Sequence, residues 1–385
     1  MKPILDQIKQ YCSSLGFDLV EAVAPEPLGH FKIYEEWLAK GYHAEMHYLS
    51  SERAVRLRHS AQEIMPTCKT ILVLAYRYPP ASNPQPNTLK LKPLIASYAQ
   101  IEDYHTFLVP LLEKVTSFIE ALSGEAINAK IFTDAGPILE REVACTAGLG
   151  WIGKNSCLIN PRFGSYFFLA EILLDIQLRK EEETSFPLPD RCGNCRRCID
   201  SCPTHCIKEN RTIDARNCIA YLTIENRGKI PFELRESIGM NLFGCDVCQQ
   251  VCPWNQKLPL INHPPGCVDS FPMIMDIVNN SSILDEREFN QKFASSPISR
   301  AKRRGFYRNL AVVLGNLHNK ATIPLLKQLM ADTDSLVRQH AAWALGRFSS
   351  QHAEEILQAA LAIEQDQIVI KEIRQALETK KNPLL

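Results

Sequence analysis

The sequence predicts a multidomain protein of mixed α+β and α/β class, in which an α/β segment precedes a cysteine-rich module and a helical repeat. Three observations support this: alternating helix and strand patterns early in the chain, a dense group of cysteines, and apolar helices that recur near the C-terminus. A chain of 385 residues is too long for one ordinary core. Proline-rich stretches at 180–190 and 259–272 place the expected domains at 1–180, 181–258 and 259–385.

The composition is typical of a soluble globular chain, with 45% hydrophobic and 22% charged residues. The first residues mix Lys2, Asp6 and Lys9 with apolar positions, unlike a signal peptide, and no run of about 18 apolar residues occurs. We therefore expect a cytoplasmic protein without a membrane segment. Because 43 basic residues balance 43 acidic ones, nucleic-acid binding would depend on local patches.

Helical periodicity is visible at three places in the first segment. Ile4, Ile8 and Leu15 share one face of a first helix, and apolar residues recur at helical spacing over 107–119. A third helix is expected to begin near Ile138, after a Gly-Pro break.

Four short apolar runs alternate with these helices. Residues 70–76 predict a buried strand and residues 129–133 a further strand, and residues 156–160 and 166–174 are expected to form a hairpin of two buried strands. The alternation predicts an open sheet covered by helices.

The first cysteine run contains Cys192, Cys195, Cys198 and Cys202, spaced C-x2-C-x2-C-x3-C and followed by Pro203. In bacterial ferredoxins with this spacing, three sulfurs hold one [4Fe-4S] cluster and the fourth cysteine ligates a second cluster. The run therefore predicts that a second run exists elsewhere in the chain.

A second run is present, because Cys218 precedes a C-x2-C-x3-C-P ending. The crossover assigns Cys192, Cys195, Cys198 and Cys252 to one [4Fe-4S] cluster, and Cys202, Cys218, Cys245 and Cys248 to the other. Structural zinc also uses C-x2-C pairs, but it takes four ligands and does not require two such endings. The other cysteines are interpreted as buried thiols: Cys12, Cys68, Cys145, Cys157, Cys206 and Cys267.

A glycine turn at Gly148, Gly150 and Gly153 matches G-x-G-x-x-G, and with Lys154 and Asn155 it lacks only the final Ser or Thr of a P-loop. Phosphate-binding loops follow a strand and open a helix, because the phosphate meets the helix N-terminus. Here a helix is expected before the turn and a strand after it, which argues against a nucleotide site. A turn that brings backbone close to another ligand remains open.

Asp134 ends a predicted strand, a position at which open α/β sheets place ligands. A buried carboxyl group there could have a raised pKa and donate a proton. The alternative is an aspartate that caps the following helix. His105 is interpreted as a surface or core histidine rather than a ligand.

The C-terminal segment contains a repeat. Residues 309–315 align with 340–346, and residues 323–326 with 354–357, each with an offset of 31 residues. Paired amphipathic helices of this length predict an α-solenoid of the HEAT type, and the alternative is a helical cap that only covers a core.

Basic residues with aromatic residues between them lie at the start of this repeat: Arg300, Lys302, Arg303, Arg304, Phe306, Tyr307 and Arg308. This pattern suits a nucleic-acid backbone and its unstacked bases. A solvated helix face is the equally weighted alternative.

Further short motifs occur in order along nearly the whole chain. They are Met46-His-Tyr-Leu49, Arg58 with Met65-Pro66, Asp103-Tyr-His105, Asp134-Ala-Gly-Pro137, Gly150-Trp-Ile-Gly-Lys-Asn155 and Phe163-Gly-Ser165. With the two cysteine runs and the helical repeat, they make the chain resemble the epoxyqueuosine reductase family. This resemblance is far more specific than the cysteine pattern alone.

The resemblance implies an enzyme that uses cobalamin and two [4Fe-4S] clusters to reduce epoxyqueuosine to queuosine at the tRNA wobble position. It implies an N-terminal corrinoid-binding domain, clusters that carry electrons from an external donor to cobalt, and a solenoid that helps to hold the tRNA. Asp134 matches the family's proposed proton donor and lies in the cobalamin site, and Arg58 and Asn155 match positions associated with the cobalamin pocket. We expect a monomer.

The usual cobalamin signature D-x-H-x-x-G is incomplete here, because Leu108 stands where the glycine should follow Asp103 and His105. If cobalamin binds, we therefore expect no protein histidine on cobalt, which leaves an easily reduced metal.

Two other functions share part of this pattern. A reductive dehalogenase would share cobalamin and both clusters, but it would carry an export signal and would not need a basic helical repeat. A non-catalytic ferredoxin-type electron carrier would share the clusters alone, and the α/β segment before them would have no role.

Overall fold

The computed structural model describes residues 3–26, 29–80, 94–178, 187–261, 274, 276–277 and 283–381. The stretches predicted to be linkers, 180–190 and 259–272, lie largely outside the described residues, as does Cys267. Two compact units are formed: Met1–Pro80, Asp103–Arg216 and Asp246–Cys267 make the first, and Ala81–Glu102, Asn217–Cys245 and Val268–Leu385 make the second. Among the described residues, no helix is long and apolar enough to cross a membrane.

The described strands are β1 Leu19–Val23, β2 Thr70–Arg77, β3 Leu94–Ile95, β4 Ala129–Phe132, β5 Trp151–Ile152, β6 Leu158–Ile159, β7 Phe167–Leu174 and β8 Asn241–Phe243. The predictions for 70–76 and 129–133 are confirmed by β2 and β4. In the first unit, four strands form a sheet in the order β1-β2-β7-β4. Every pairing in this sheet is antiparallel, so the ligand-placement rule for parallel sheets does not apply to it.

The predicted hairpin over 156–174 is wrong, because β6 pairs with β5, whereas β7 belongs to the four-stranded sheet. Asn160 ends β6: its side-chain oxygen accepts hydrogen bonds from the backbone amides of Arg162 and Phe163, and its amide donates to the carbonyl of Leu149 at 2.7 Å. The backbone of Asn160 also forms an antiparallel bridge with Gly164, so the predicted turn is present, but the pairing does not continue into β7.

The described helices are α1 Ile4–Ser14, α2 Phe31–Ala39, α3 Glu52–His59, α4 Ala61–Ile64, α5 Tyr104–Ser123, α6 Glu140–Thr146, α7 Arg197–Asp200, α8 Ile219–Ile224, α9 Val247–Gln250, α10 Glu286–Lys292, α11 Lys302–Leu317, α12 Ile323–Met330, α13 Ser335–Gly346, α14 Gln351–Ile363 and α15 Gln367–Lys381. The three predicted N-terminal helices are confirmed as α1, α5 and α6, although Ile4 is exposed and α6 begins at Glu140. The order of α6, glycine turn and strand is also as expected.

Helices cover both faces of the four-stranded sheet. Ile71 and Val73 of β2 pack in one core with Val143 and Ala144 of α6. Tyr76 points to the other face, where its ring lies 5.4 Å from that of Phe107 on α5. Because side chains alternate along a strand, the odd-numbered positions of β2 face α6 and the even-numbered ones face α5.

The second unit contains the helical repeat, and two glycines set the spacing of its inner helices. A Cβ atom on Gly315 of α11 would lie 2.9 Å from the Cα of Ala344 on α13, and one on Gly346 would lie 2.8 Å from the Cβ of Ala376 on α15. The 31-residue offset seen in the sequence thus corresponds to successive close helix contacts, and the structure adds α15 to the two predicted repeat units.

The basic stretch at the start of the repeat is mostly interior. Arg308 is buried and donates to the backbone carbonyls of Leu222, Asn226 and Gly228, and burial lowers its pKa to about 9. Arg303 is also buried and forms a two-bond ion pair with Asp332.

The remaining residues of the stretch are either buried or bound in ion pairs, apart from Lys302, which is exposed. Phe306 and Tyr307 are fully buried, Arg300 pairs with Glu225, and Arg304 pairs with Asp334. Neither proposed interpretation holds for the stretch as a whole: its aromatic residues are not available for stacking on bases, and most of it is not a solvated face.

Candidate active site and cysteine loops

Asp134 lies at the tip of a strained turn that follows β4. Its φ of 56° is in the left-handed region, and the amide of Ala135 bonds to the carbonyl of Thr133 at 2.6 Å, which makes a γ-turn of the rare positive-φ form. Gly136 is required next, because a Cβ atom there would lie 2.5 Å from the Phe132 side chain. The turn presents the Asp134 residue to solvent.

Asp134 does not cap the helix that follows it, which was the alternative interpretation. The N-cap position of α6 is Leu139, and α6 has no side-chain cap hydrogen bond. Asp134 instead has two polar partners. The hydroxyl of Tyr104 on α5 donates to its Oδ2 at 2.5 Å, and its own backbone amide donates to Oε1 of Glu140 at 2.6 Å.

A second carboxyl group, Glu171 of β7, lies behind this turn and is fully buried. Neither of its carboxyl oxygens has a hydrogen-bond partner among the described residues. Burial, and then the nearby charges of Glu140 and Asp134, raise the pKa of Glu171 well above its usual value. Burial and the Asp134 charge likewise raise the pKa of Glu140 to about 8, against the opposing influence of Arg141 and Arg58. The site therefore holds a buried and a partly buried carboxyl group, both with raised pKa, beside the exposed Asp134.

Arg58 and Asn155, the two other residues associated with a cobalamin pocket, are buried. Arg58 donates to the backbone carbonyl of Ala54 at 3.2 Å and acts electrostatically on Glu140 and on the Tyr34 hydroxyl. The Asn155 amide donates to the carbonyl of Cys248 at 3.4 Å. Arg58 thus lies near the Asp134 turn, and Asn155, at the end of the glycine turn, contacts the loop that carries Cys248.

Arg141, next to Glu140 on α6, links these two places. Its guanidinium donates to the backbone carbonyl of Ser156 and, at 3.1 Å, to the Ser156 hydroxyl. Ser156 follows Asn155, so hydrogen bonds and chain neighbours run without interruption from Asp134 to the cysteine loop. Sequence reasoning missed Tyr104, Glu140 and Arg141, although Tyr104 lies within a quoted motif.

The glycine turn also contacts the first cysteine run. Lys154 donates to the backbone carbonyls of Gly193 at 2.7 Å and of Cys195 at 3.0 Å. The lysine that completes a P-loop pattern in the sequence therefore binds protein backbone here. Gly150 is needed because a Cβ atom would lie 2.4 Å from the carbonyl oxygen of Ile159.

The four cysteines assigned to one cluster all lie in the first unit, although the described residues contain no group of three or more metal-binding side chains arranged to hold an ion. Cys252 and Cys192 pack in one small cluster, and the charges of Cys192 and Cys198 act on Cys252. The charges of Cys192 and Cys195 act in turn on Cys198. Cys157, which is not an assigned ligand, also acts on Cys252, so the crossover assignment of these thiols stays a prediction.

Trp151 and Trp254 lie against these thiols, with ring centroids 5.1 Å apart. Trp151 is only 2% exposed, and its indole N–H has no hydrogen-bond partner among the described residues. A buried donor without an acceptor costs free energy, so this N–H marks a place where an acceptor belongs.

The other assigned set is divided between the two units in the chain: Cys202 and Cys248 belong to the first unit, and Cys218 and Cys245 to the second. Cys202 lies 3.4 Å from the sulfur of Cys206, which is buried. The described cysteines all have free thiols. Among those interpreted as buried, Cys12 and Cys68 are buried, whereas Cys145 and Cys157 are partly exposed.

His105 lies in the first turn of α5, with its side chain 41% exposed. Its Nδ1 lies 2.8 Å from Oδ1 of Asp103, the residue that caps the helix. The interpretation of this residue as a surface histidine agrees with that exposure.

Comparison with known proteins places this site in a family. The epoxyqueuosine reductase QueG model (DUF1730) matches residues 58–135, which include Arg58, Tyr104 and Asp134. The epoxyqueuosine reductase of Pseudomonas aeruginosa is 37% identical over 355 residues, covering 89% of this chain and 94% of that protein. The chain belongs to the epoxyqueuosine reductase family. The Escherichia coli epoxyqueuosine reductase is 34% identical over 359 residues, covering 90% of each chain.

Solved epoxyqueuosine reductases share the fold. One, crystallised with an epoxyqueuosine-modified tRNA-Tyr stem loop, matches with a TM-score of 0.87 and 28% identity over 98% of both chains. The Bacillus subtilis enzyme, solved with its aspartate-bearing catalytic loop swung out of the active site, matches with a TM-score of 0.85 and 27% identity over 97% of this chain and 98% of that one.

Two further family models match later parts of this epoxyqueuosine reductase family member. A 4Fe-4S double cluster binding domain matches residues 191–255, and HEAT repeats match residues 300–378. The predicted fold class, the two-cluster module and the HEAT-type repeat are thereby confirmed. As a member of this family, the protein is an oxidoreductase with a double [4Fe-4S] domain.

Proposed function

We propose that this protein reduces epoxyqueuosine to queuosine at the wobble position of a tRNA anticodon, with cobalamin and two [4Fe-4S] clusters. The observation that carries the proposal is the unbroken connection between Asp134 and the cysteine loops, through Glu140, Arg141 and Ser156. An exposed acid is thereby fixed relative to an electron-transfer module. The relative crystallised with an epoxyqueuosine-modified stem loop supports the same substrate.

The cysteine loops suit iron–sulfur clusters. Cys192, Cys195, Cys198 and Cys252 are the thiolates that would hold one cluster, and their soft sulfur ligands suit iron. The partnerless indole N–H of Trp151 is a donor for which a cluster sulfide or cysteine sulfur is a chemically suitable acceptor. For the other cluster we propose the ligands Cys202, Cys218, Cys245 and Cys248.

The residues near Asp134 also suit a corrinoid. Of the three residues that would hold it, Asp134 is exposed, while Arg58 and Asn155 are buried and fix the surrounding loops. We propose that the corrinoid binds against the Asp134 side of the segment 1–180. Bound cobalamin would supply a low-potential metal centre that passes electrons to the epoxide.

The balance of the reaction defines the role of the chain. An epoxide that becomes an alkene takes up two electrons and two protons, breaks two C–O bonds and releases water. Asp134 is the acid that would protonate the departing oxygen, and the Tyr104 hydroxyl at 2.5 Å orients its carboxyl group. Each [4Fe-4S] cluster passes one electron at a time, so an external reductant must supply two electrons through the clusters for each turnover. The solenoid would help to hold the tRNA.

We further propose that no protein histidine binds cobalt, since Leu108 replaces the glycine of the usual signature and His105 pairs with Asp103. An electron paramagnetic resonance spectrum of bound cob(II)alamin should lack nitrogen hyperfine coupling from a protein imidazole. Such coupling would refute this part of the proposal. We also propose that the protein acts as a monomer in the cytoplasm.

The test is an anaerobic assay with purified protein, cobalamin, a strong reductant and epoxyqueuosine-containing tRNA, followed by nucleoside analysis. We expect queuosine only when cobalamin is present, and none from Asp134→Asn with unchanged iron and cobalamin content. Queuosine formation without cobalamin, or normal turnover by Asp134→Asn, would contradict the proposed cofactor or the proposed acid.

A further inference from the structure

The buried acid of the active-site sheet, Glu171, has no part in the reaction proposed above. It lies opposite Val73 of β2 and Phe132 of β4 in the antiparallel pairing, and Val73 packs in the core beneath α6. Residues directly opposite one another share a face of the sheet, so the Glu171 carboxyl group points toward α6. Glu140, the first residue of α6, is the neighbour whose charge affects it most.

Glu140 connects this interior to the Asp134 turn. Its Oε1 accepts the Asp134 backbone amide at 2.6 Å, at the one residue of the turn that has a left-handed φ. A non-glycine residue in that conformation is strained, so the surrounding structure must hold it in place. The Tyr104 hydroxyl can reach the Asp134 carboxyl group only in a limited range of backbone conformations.

We propose that Glu140 is the positioning residue of the active site, which holds the Asp134 turn in the conformation required for proton transfer. This inference rests on the proposed function, because it concerns the acid of the same reaction. Glu140 touches the backbone of Asp134 rather than the substrate, and it acts through the direction in which it fixes the Asp134 carboxyl group.

The charge state of Glu140 determines whether this arrangement is stable. The ionisable groups that face it come from four elements, and they are Asp134 in the turn, Arg141 on α6, Arg58 on α3 and Glu171 on β7. The hydrogen bond from the Asp134 amide favours the ionised form of Glu140, whereas burial and the Asp134 charge favour the uncharged form and prevail. Its pKa is raised to about 8, so the uncharged form predominates at neutral pH. Above that value, ionisation of Glu140 places a negative charge beside the acid Asp134.

Two substitutions separate the hydrogen bond from the charge. In Glu140→Gln the amide oxygen still accepts from Asp134 and cannot ionise, whereas Glu140→Ala has no acceptor. We expect Glu140→Ala to lower kcat by about 10- to 100-fold with little change in KM, as expected for a misplaced catalytic group. We expect Glu140→Gln to keep the wild-type kcat at pH 7 and to lose the decline in kcat that ionisation causes above pH 8.

The matched control is Glu142→Gln. Glu142 lies in the same first turn of α6, but its carboxyl group binds the His30 ring and backbone amide instead. This variant should keep both the wild-type kcat and the wild-type pH profile. Equal activities of Glu140→Ala and wild type, or coincident pH profiles of Glu140→Gln and wild type, would overturn the proposal.

A second measurement does not depend on turnover. Hydrogen–deuterium exchange of the peptide that contains the Asp134 amide should be faster in Glu140→Ala than in wild type, and unchanged in Glu140→Gln and Glu142→Gln. Equal exchange in all four proteins would overturn the positioning role. If wild type fails to form queuosine while the exchange pattern is as expected, the proposed function fails and the structural role of Glu140 stands.

Discussion

The ammonium group of Lys154 donates to the carbonyl oxygen of Gly193 at 2.7 Å and thereby joins the glycine turn to the first cysteine run. The same nitrogen lies 3.0 Å from the carbonyl of Cys195. Because Gly193 lies between Cys192 and Cys195 in the sequence, a positive charge is held directly on the loop that we assign to one cluster. The turn that resembles a phosphate-binding loop is thus part of the electron-transfer module.

Lys154→Met should lower the reduction potential of this cluster. Reduction adds negative charge, which the lysine stabilises, and its removal should shift the potential by an amount on the order of tens of millivolts. An EPR-monitored redox titration of the reconstituted protein measures the shift. Lys154→Arg keeps the charge and serves as the control. A potential in Lys154→Met equal to that of wild type would contradict this electrostatic role.

Trp151→Phe should remove one exchangeable proton from the surroundings of the same cluster. The buried indole N–H has no protein acceptor among the described residues, and a hydrogen bond to a cluster sulfur would satisfy it. Electron–nuclear double resonance of the reduced cluster before and after transfer to D₂O detects such a proton, and loss of the bond should also lower the potential. Trp254→Phe controls for loss of the neighbouring indole ring. Identical exchangeable couplings in wild type and Trp151→Phe would rule out the bond.

The sequence predicted the elements of the fold better than their arrangement. The run at 70–76 became β2, because a continuous apolar stretch determines a buried strand locally, and the run at 129–133 became β4, which is only partly buried. The pairing of β6 with β5 was missed, because β5 is a two-residue strand inside the glycine turn and is too short to give a strand pattern in the sequence. Likewise, Arg308 looked like a surface cation, since its carbonyl partners near residue 226 are distant in the sequence.

The same distinction applies to the site. The cysteines were predicted from their spacing, and Asp134 from its position at the end of a strand and from the family resemblance. Glu171 was not, since one acid within an apolar strand pattern has no neighbouring signal, and its meaning depends on α6 packing over the same face of the sheet. Glu140 and Tyr104 acquire a role only through their hydrogen bonds to Asp134.

Single cysteine substitutions should each remove one cluster. Cys195→Ala and Cys218→Ala are predicted to lower the iron content from about eight to about four atoms per chain, because they belong to different ligand sets. Anaerobic reconstitution followed by iron and sulfide analysis tests this. Cys206→Ala should retain about eight iron atoms, although its sulfur lies only 3.4 Å from that of Cys202. Loss of iron in Cys206→Ala would mean that the ligand assignment is wrong.

Gly315→Ala should destabilise the second unit, against the normal preference of helices for alanine. The new Cβ atom would meet the Cα of Ala344 at 2.9 Å, and forcing the helices apart costs about 1–3 kcal/mol. Gly305→Ala on the same helix is the control, since its nearest neighbour would be 3.7 Å away, and there helix propensity should stabilise by up to about 1 kcal/mol. Thermal unfolding should show a lower Tm for Gly315→Ala and a higher Tm for Gly305→Ala than for wild type. A stabilised Gly315→Ala would contradict the close helix contact.

Glu171→Gln should change how stability depends on pH. The pKa of Glu171 is raised in the folded chain, and that of Glu140 is raised to about 8, so between about pH 4.5 and 8 the folded state binds more protons than the unfolded state. Their contribution to stability is complete below this range and is lost as the pH rises through it, with a slope of about 1.4 kcal/mol per pH unit for each proton. Glutamine cannot ionise, so the variant should lose stability less steeply than wild type as the pH rises.

Anaerobic urea unfolding at pH 5, 6 and 7 measures how steeply the free energy of unfolding falls with pH, with Glu125→Gln, at an exposed position, as the control. Parallel slopes for wild type and Glu171→Gln would mean that Glu171 is already ionised in the folded protein, which would require an unobserved partner for its buried charge.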